Sequence, residues 1–215
     1  MVIGANKRLH RIAQNPARPA ERLKRQPFGG GKMKTLFTVH GGEYLVGDYI
    51  QRVYPRWNVW VPSKDTGIDL LVTDSRNRKA VSLQVKFSKD FNPTHKSILV
   101  QNKLMALGWW THQDQKIQKS KADFWVFVLP SFIEHETSFI IIPPKDLLRR
   151  FRAIHGRAGK RIQSYISVTK TGRCWETRGL SKADQEHIAY DRFSSESRDF
   201  TRFLNAWHQV DKRLK

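Results

Sequence analysis

The sequence predicts an α/β fold, because helical and strand patterns follow one another along its 215 residues. Residues 41–54 carry apolar side chains at helical spacing, whereas residues 67–88 contain two runs that alternate apolar and polar side chains about a polar turn. Residues 123–129, DFWVFVL, form an apolar run typical of a central strand. With one more strand before residue 67, the predicted order is helix, three strands, helix, strand, followed by further strands and helices.

The first helix is predicted over Gly41–Tyr54 and ends before Pro55, because a residue that precedes proline disfavours helical backbone. Its apolar stripe consists of Leu45, Val46, Tyr49, Ile50 and Val53. Glu43 lies at the edge of this stripe, near the free N–H groups of the helix start. Those groups favour a carboxylate by themselves, so a structural role for Glu43 stands beside a functional one. A first strand follows at Arg56–Val61, and a loop from Pro62 to Asp65 leads to the hairpin.

The hairpin is the stretch on which the functional argument depends. Its strands are predicted over Ile68–Thr73 and Ala80–Phe87. Period-two alternation in the second strand places Val81, Leu83, Val85 and Phe87 on one face, and Ser82, Gln84, Lys86 and Ser88 on the other. The register allows Asp69, Gln84 and Lys86 to lie together on one face. Burying such polar groups in an apolar sheet costs desolvation energy, and binding a divalent metal beside a phosphate would explain them.

The middle of the chain is predicted to lead from a loop to a helix. Lys89–Leu99 is expected to be a loop near the mouth of the site. Trp109 and Trp110 are predicted to open a helix that continues to Lys121. Tandem tryptophans would stack on bases or sugars if they are exposed, whereas buried ones would only pack. Ser138–Ile142 is the predicted partner of the central strand.

The C-terminal third is predicted to add a helix, a hairpin and two more helices. The helix that begins at Pro143 has an apolar face of Leu147, Leu148, Phe151 and Ile154, with Arg149, Arg150 and Arg152 on its other faces. The hairpin comprises Arg161–Val168 and Arg173–Thr177, and Ser181 to Asp184 has the form of a capping box. The last helix is predicted over about Glu196–Leu214, with an apolar stripe for core packing or, alternatively, a dimer contact.

Two segments are expected in the domain organisation. Residues 1–34 are rich in Arg, Lys, Pro and Gly and are predicted to be a disordered basic arm. Alternatively the arm is not native, and Met33 is the true start. Residues 35–215 are predicted to form a single domain, with the hairpin and helices from about residue 155 as a helical C-terminal extension.

The charge favours a polyanionic partner. The chain carries 39 basic and 19 acidic residues, a net charge of +20, with +8 in residues 1–34, +3 in residues 35–144 and +9 in residues 145–215. Such an excess favours nucleic acid through the release of counterions. Charge alone leaves two alternatives open, namely an anionic membrane surface and a ribosome-associated protein. The least basic part contains the polar hairpin, as expected if the flanks hold a nucleic-acid backbone.

Cysteine content and hydropathy indicate the cellular compartment in which the protein is expected to function. The only cysteine, Cys174, excludes an intrachain disulfide and a cysteine-based zinc site, which suits a reducing cytoplasm. No secretory signal is recognisable, and the most apolar stretch, Phe124–Ile133, is too short to span a bilayer. We therefore expect a soluble, cytoplasmic protein that does not have a membrane partner.

The hairpin carries a family resemblance. Asp65-Thr66-Gly67-Ile68-Asp69, followed after a hairpin's length by Gln84-Val85-Lys86, resembles the PD-(D/E)XK nuclease motif in its D-x-G-x-D and Q-x-K form. This variant is similar to the Mrr-type restriction endonucleases, which have Gln where the commoner pattern has Asp or Glu. The family also has an acidic residue on the preceding helix, where Glu43 stands. The resemblance implies a restriction-endonuclease-like αβββαβ core with a mixed central sheet, and it covers residues 41–88 closely and extends to about Pro144 in outline.

The resemblance also implies the residues of a Mg²⁺ site and their roles. Asp69 would be the principal ligand, helped by the side-chain carbonyl of Gln84 and the backbone carbonyl of Val85. Lys86 would orient or activate the attacking water and stabilise phosphoryl charge. Glu43 would lie in the outer shell or hold a second ion. Asp65 would shape the loop rather than bind metal.

The expected activity is Mg²⁺-dependent hydrolysis of DNA by a restriction-type endonuclease, with a homodimer if both strands are cut. Basic residues expected to contact the nucleic acid are Lys64, Lys89, Arg149, Arg150 and Arg152. The alternatives are a structure-selective nuclease of repair or recombination, similar to a junction resolvase, and a nucleic-acid-binding module that does not cleave. An ordinary amphipathic hairpin with a polar outer face is the structural alternative for the whole motif.

Overall fold

The fold is arranged around one strand, Phe124–Ser131, in which every residue is buried. The computed structural model of the chain describes residues 41–64, 66–88, 97–131, 135–156 and 161–215. The predicted basic arm at residues 1–34 lies outside this described part. Continuous burial is typical of a strand covered on both faces, and the apolar run at residues 123–129 reflects it.

The described chain contains eight strands, six α-helices and one 3₁₀ helix. The strands are β1 Asn58–Trp60, β2 Leu70–Thr73, β3 Ala80–Phe87, β4 Leu104–His112, β5 Phe124–Ser131, β6 Glu136–Ile142, β7 Ile162–Thr169 and β8 Cys174–Glu176. The α-helices are α1 Gly41–Val53, α2 Ile98–Gln101, α3 Asp114–Gln118, α4 Pro144–His155, α5 Lys182–Ala189 and α6 His208–Leu214. The 3₁₀ helix is Thr201–Phe203.

Two sheets form within the described residues. The first has the strand order β1-β2-β3-β5-β6 and is mixed, because β3 pairs with β5 in parallel and the other neighbours are antiparallel. The second has the order β4-β7-β8 and is antiparallel. The parallel pair requires a crossover, and the segment between β3 and β5 contains α2, β4 and α3.

Alternate residues of β5 enter two separate apolar clusters. Phe124, Val126 and Val128 pack with residues of α1 and α6, whereas Trp125, Phe127 and Leu129 pack with residues of β4, β7 and α4. This alternation follows from the opposite directions of successive side chains in a strand. The first sheet is therefore covered by α1 and α6 on one face, and by the second sheet and α4 on the other.

Most of the predicted elements are confirmed. Strand β3 begins and ends at the predicted residues, and β2, β5, β6, α1 and α4 overlap their predictions. The C-terminal hairpin is also confirmed as β7 and β8. The capping box forms at the start of α5, where Ser181 Oγ accepts the N–H of Asp184 and the Asp184 carboxylate accepts the N–H of Ser181.

The prediction of a helix that starts at Trp109 and Trp110 is wrong. Residues 104–112 form β4, which pairs with β7 in register through Trp109↔Tyr165 and Trp110↔Ser164, and a short helix, α3, follows. In a strand the two rings face opposite ways. Trp110 is 6 % exposed and packs edge-on against Phe127, whereas Trp109 is 41 % exposed. These residues form a strand because they pair with β7, and a pattern of neighbouring residues does not predict such a long-range pairing.

The prediction of one long helix over about Glu196–Leu214 is also wrong. Only Thr201–Phe203 and α6 are helical in that stretch, because Asn205 adopts a left-handed backbone with φ 48° and interrupts it. Asn205 donates its backbone N–H to the carbonyl of Phe139 at 2.6 Å, and its side-chain Oδ1 accepts the N–H of Phe139 at 2.9 Å. Asn205 thus forms hydrogen bonds with the edge of β6, and in a continuous helix its backbone N–H would have bonded to a carbonyl of the helix itself.

Three smaller expectations are corrected. Phe87, assigned to the apolar face of β3, is 43 % exposed, whereas Ser82, assigned to its polar face, is buried and bonded to Asp123. The crossover to β5 contains a strand as well as helices. The predicted loop Lys89–Leu99 overlaps helix α2 at Ile98, and its residues 89–96 lie outside the described chain.

Candidate functional site

The Asp69 carboxylate is fixed immediately before the start of β2. The backbone N–H of Asp69 donates to the carbonyl of Leu83 at 2.8 Å, and its Oδ2 accepts the N–H of Val85 at 2.7 Å. The carboxylate therefore accepts a hydrogen bond from β3 that a backbone carbonyl would accept if β2 continued further along β3. Gly67 turns the chain away with a φ of +83°, which a side-chain-bearing residue rarely adopts. The glycine of the D-x-G-x-D motif thus allows the turn that places Asp69 beside β3.

The backbone carbonyl of Val85 faces the same side as its N–H group. In a strand the N–H and C=O of one residue point to the same neighbouring strand, and here that side holds the Asp69 carboxylate. Gln84 lies close by, because a Cβ added to Gly67 would be 3.9 Å from the Gln84 Nε2. The Q-x-K strand therefore presents a backbone oxygen and an amide side chain next to one carboxylate.

Helix α1 brings Glu43 to the end of β3. A Cβ added at Gly42 would lie 2.6 Å from the Cβ of Phe87, so only glycine permits this approach of the first helical turn. Glu43, the next residue, is 4 % exposed. Its burial at the start of the helix agrees with both roles considered from the sequence, a carboxylate favoured by the helix N-terminus and a group that serves the site.

One open cavity of about 1010 Å³ contains all of these groups. It is lined by Glu43, Asp69, Gln84, Val85 and Lys86, the residues predicted for the Mg²⁺ site. They come from α1, from the residue before β2, and from β3, so a long-range arrangement brings them together. Asp69 and Lys86 both line this cavity, and their roles in a metal site stay a prediction.

The Lys86 ammonium lies over an aromatic ring. Its Nζ is 5.2 Å from the centroid of Trp125, a residue that pairs in register with Gln84 across the parallel strands β3 and β5. A cation over the face of an indole is attracted by the ring quadrupole. Trp125 is buried and contributes a fixed wall to the cavity, so it helps to hold the ammonium beside Gln84 and Val85.

His112 is a site residue that the sequence analysis missed. Its ring lies edge-on to Trp125 and Phe127 and stacks on Phe151 with a centroid distance of 5.6 Å. Burial, assisted by the nearby charge of Lys86, lowers the pKa of His112 to about 3. The imidazole therefore stays neutral at neutral pH next to the ammonium. The sequence gives little signal for this position, because residues 104–110, LMALGWW, are an apolar run without polar alternation and a helix was expected from Trp109.

Cations dominate the lining of the cavity. Besides Lys86, it is lined by Lys116, Lys119, Lys121 and Arg161, against the two carboxylates of Glu43 and Asp69. The three additional lysines belong to α3 and the residues after it. The lining thus carries five cations and two carboxylates, an excess of positive charge that suits a phosphate backbone.

Arg152 is bonded to residues of helix α3 and is not a free surface cation. It donates to both carboxylate oxygens of Asp114, at 2.9 and 2.6 Å, and to Gln118 at 3.1 Å. Such a two-pronged pair fixes geometry as well as charge. Arg152, predicted to contact phosphates, thus ties α4 to α3, the helix that bears Lys116.

Arg150 corrects the expectation that the arginines of α4 lie on its exposed faces. It is 8 % exposed, donates to the carbonyls of Glu196 and Ser197, and lies over the rings of Phe200 and Phe203. Its guanidinium therefore holds the C-terminal loop. Arg149 remains exposed and pairs with Asp146 at 2.9 Å.

The remaining predicted positions lie at or beyond the limits of the described chain. Lys64 is exposed on the loop before the hairpin. Lys89 and Asp65 lie outside the described residues. Of the predicted nucleic-acid contacts whose placement is described, Lys64 and Arg149 are therefore the ones whose side chains lie at the surface.

The donor set is compatible with a hard cation. Among the described residues, no group of three or more His, Cys, Asp or Glu side chains could hold a metal ion. The predicted set contains two carboxylates and completes its donors with the Gln84 amide oxygen and the Val85 carbonyl. All of these are oxygen donors of the kind that Mg²⁺ accepts. The Val85 N–H uses one lone pair of Asp69, and an ionised carboxylate has about four such acceptor sites.

Comparison of the chain with protein-family models, with curated proteins and with solved structures found no match. Within the described ranges, every helix is too short or too polar to cross a bilayer.

Proposed function

We propose that the protein is a Mg²⁺-dependent endonuclease of the PD-(D/E)XK type that hydrolyses DNA in the manner of restriction enzymes. One observation carries this proposal: Glu43, Asp69, Gln84 and Lys86, which are separated along the chain, line one cavity. A polar hairpin exposed to solvent would not need a buried glutamate from a preceding helix, nor a lysine held over an indole.

The order of the elements supports the proposal. Helix α1 precedes three antiparallel strands, and β3, which bears the Q-x-K residues, pairs in parallel with β5. This arrangement is compatible with the αβββαβ core expected from the resemblance. The crossover departs from a single helix, because it contains β4, whose residue His112 forms one wall of the cavity.

The four oxygen donors would hold the metal ion beside the two carboxylates of the cavity. Asp69 would be the principal ligand, because its carboxylate is fixed by the Val85 N–H and needs little reorganisation. Gln84 and the Val85 carbonyl would add neutral oxygens, and Glu43 would supply a second negative charge. When bound, Mg²⁺ supplies Lewis-acid stabilisation of charge on a phosphoryl oxygen.

Lys86 acts on the water and on the phosphate. Its ammonium has three donors, which orient the attacking water and stabilise the negative charge that develops on the phosphoryl oxygens. The ring of Trp125, whose centroid lies 5.2 Å from the Nζ, helps to hold the ammonium in place. Lys116, Lys119, Lys121 and Arg161 hold the neighbouring phosphates, a sequence-independent contribution that weakens with salt.

A binding module that does not cleave is the second candidate. The observation that favours it is the charge of the cavity, which is lined by five cations and two carboxylates, and whose third motif position is a neutral glutamine. A neutral amide binds Mg²⁺ more weakly than a carboxylate does. Such a cavity would hold a phosphate backbone even without a metal ion.

Supercoiled DNA incubated with the wild-type protein in Mg²⁺ tests the proposal. We expect cleavage that EDTA abolishes, and a loss of about a hundred-fold or more in rate for Asp69→Asn and Lys86→Ala, because the first removes the charge of the principal metal ligand and the second removes the ammonium that acts on the scissile phosphate. Asp48→Asn is the matched control, since it makes the same carboxylate-to-amide change on the exposed side of α1, where Asp48 pairs with Arg52. It is expected to cut like the wild type.

Two results separate the candidates. Full activity of Asp69→Asn would contradict the assignment of the metal site. Tight binding of DNA without cutting under Mg²⁺, Mn²⁺ or Ca²⁺ would identify a binding module. A parallel set of four-way junctions distinguishes a restriction-type enzyme from a structure-selective one.

A further inference from the structure

The outer face of the second sheet presents two aromatic rings side by side. Trp109 of β4 and Tyr165 of β7 are directly paired in register, and they are 41 % and 39 % exposed. Side chains of directly opposed residues lie on the same face with Cβ atoms about 5 Å apart. The alternate residues Trp110 and His112 face the core, which confirms that Trp109 faces outward. We call the face formed by Trp109, Thr111, Gln163 and Tyr165 the aromatic platform.

A positive charge borders the aromatic platform, and the strands that form it carry no acidic side chains. Arg178 lies 5.7 Å from the ring centroid of Tyr165 and donates to the side chain of Gln163. Strands β4 and β7 contain no Asp or Glu. The one acid of β8, Glu176, is fully buried and accepts a hydrogen bond from Arg198 at 2.7 Å. A polyanion therefore meets no repulsive carboxylate on these strands.

The aromatic platform is continuous with the rim of the cavity. Thr111, next along β4 on the same face as Trp109, lines the cavity, and so does Arg161, the residue before β7. The backbone of Trp109 is also hydrogen-bonded to Ser88, the residue that follows β3. Its N–H donates to Ser88 Oγ at 3.0 Å, and that hydroxyl donates to its carbonyl at 3.2 Å. Ser88 is two positions after Lys86, so the platform is held in a fixed position beside the cavity.

We propose that the aromatic platform binds a single-stranded DNA segment whose bases stack on Trp109 and Tyr165 while Arg178 and Arg161 contact its phosphates. Aromatic side chains on a sheet reach the faces of unpaired bases, whereas in a duplex those faces are covered by neighbouring bases. The pairing of exposed rings with cations and the absence of acids on β4 and β7 fit a polyanion with flat apolar surfaces.

The substrate class follows if the proposed nuclease function holds. A strand that leaves the cavity across Thr111 reaches the aromatic platform directly, so the preferred substrate contains an unpaired segment next to the scissile phosphate. A branched, gapped or flapped DNA has such a segment, and a continuous duplex does not. This step rests on the proposed function, whereas the stacking itself does not.

Fluorescence anisotropy of a labelled oligothymidylate of roughly ten nucleotides measures the stacking without any cleavage. We expect Trp109→Ala and Tyr165→Ala each to weaken binding of the single strand by roughly 5- to 100-fold relative to binding of a duplex of equal length. Trp109→Phe keeps a stacking ring and should recover most of the loss, which a purely structural role of the indole would not allow. Thermal unfolding of each variant verifies that it is folded.

Two exposed aromatic residues away from the aromatic platform serve as matched controls. Trp60 is 51 % exposed on β1, and Tyr190 is 43 % exposed beneath Arg192, a pair similar to Tyr165 and Arg178. Their alanine variants are expected to leave the ratio of single-strand to duplex affinity unchanged. Equal losses for the control and platform variants would overturn the proposal, because they would show a general effect of surface aromatics.

The outcomes for the platform and for the nuclease are distinguishable. If Trp109→Ala binds the oligothymidylate as the wild type does while Asp69→Asn still abolishes cleavage, the platform is refuted and the nuclease stands. If platform variants lose single-strand affinity but no divalent ion supports cutting, the platform is supported and the nuclease fails. Preferential cutting of flapped over continuous duplex DNA, lost in Trp109→Ala, would support both.

Discussion

Acidification should destabilise the fold through one residue, His112. Its ring is 4 % exposed between Trp125, Phe127 and Phe151, and its Nε2 is buried without a hydrogen-bond partner among the described residues. Burial, with the charge of Lys86 as a smaller cause, lowers the pKa of His112 from 6.5 to about 3. The native protein therefore keeps the imidazole neutral at pH values where the unfolded chain protonates it.

The magnitude follows from this difference in pKa. Between pH 6.5 and about pH 3 the unfolded chain binds one proton more than the native protein, so the free energy of unfolding falls as the pH falls. The stabilisation is fully present above the unfolded pKa and is lost below it at about 1.4 kcal/mol per pH unit. From pH 6.5 to about pH 4.5 the contribution of His112 is roughly 3 kcal/mol.

Urea unfolding of the wild type and of His112→Phe across this range isolates the contribution. Phenylalanine keeps an aromatic ring in the pocket and removes the titrating group, so we expect the two proteins to differ by less than about 1.5 kcal/mol at neutral pH. Their stabilities should then diverge on acidification, with the wild type falling faster. The exposed His208→Gln variant is the control and should follow the wild type. Parallel curves for the wild type and His112→Phe would refute the reasoning.

Two further predictions concern the parts that hold the site and the C-terminal loop. Gly42→Ala should lower the free energy of unfolding by about 1–3 kcal/mol and reduce cleavage, because its Cβ would lie 2.6 Å from that of Phe87, whereas Gly41→Ala, with open space around its Cβ, should be neutral or slightly stabilising in urea unfolding. Equal stability of these two alanine variants would contradict the close approach of α1 to β3. Arg150→Met should cost about 2 kcal/mol, because two backbone carbonyls lose a charged donor, and Arg149→Ala should cost less than about 0.5 kcal/mol. A change in the salt dependence of DNA binding for Arg150→Met would contradict its buried role.

Short-range patterns predicted much of the fold and the centre of the site. The alternation in residues 80–87 identified β3 with its correct bounds, and the apolar run after Asp123 identified β5. The spacing of Asp69, Gln84 and Lys86 led to residues that line one cavity, and their functional roles stay a prediction. The predictions of these strands are confirmed because side-chain alternation and hairpin length are properties of consecutive residues.

Other features depended on contacts between distant segments. Trp110 and His112 became cavity or core residues through the pairing of β4 with β7, and Asn205 interrupts a helix because the edge of β6 takes its hydrogen bonds. Arg150 and Arg152 have the same sequence character, yet one is buried under a loop and the other anchors α3. Local periodicity contains no information about such partners.

The sequence by itself therefore determined the α/β class, the positive charge, and the hairpin with its acidic, amide and basic side chains. Only the tertiary structure decided which cations surround the cavity, that His112 and Trp125 form its wall, and that Trp109 lies on an exposed sheet face beside Tyr165. The physical reason is that burial and hydrogen bonding between strands are long-range. The free energy that selects them depends on residues far apart in the chain, and neighbouring residues do not specify it.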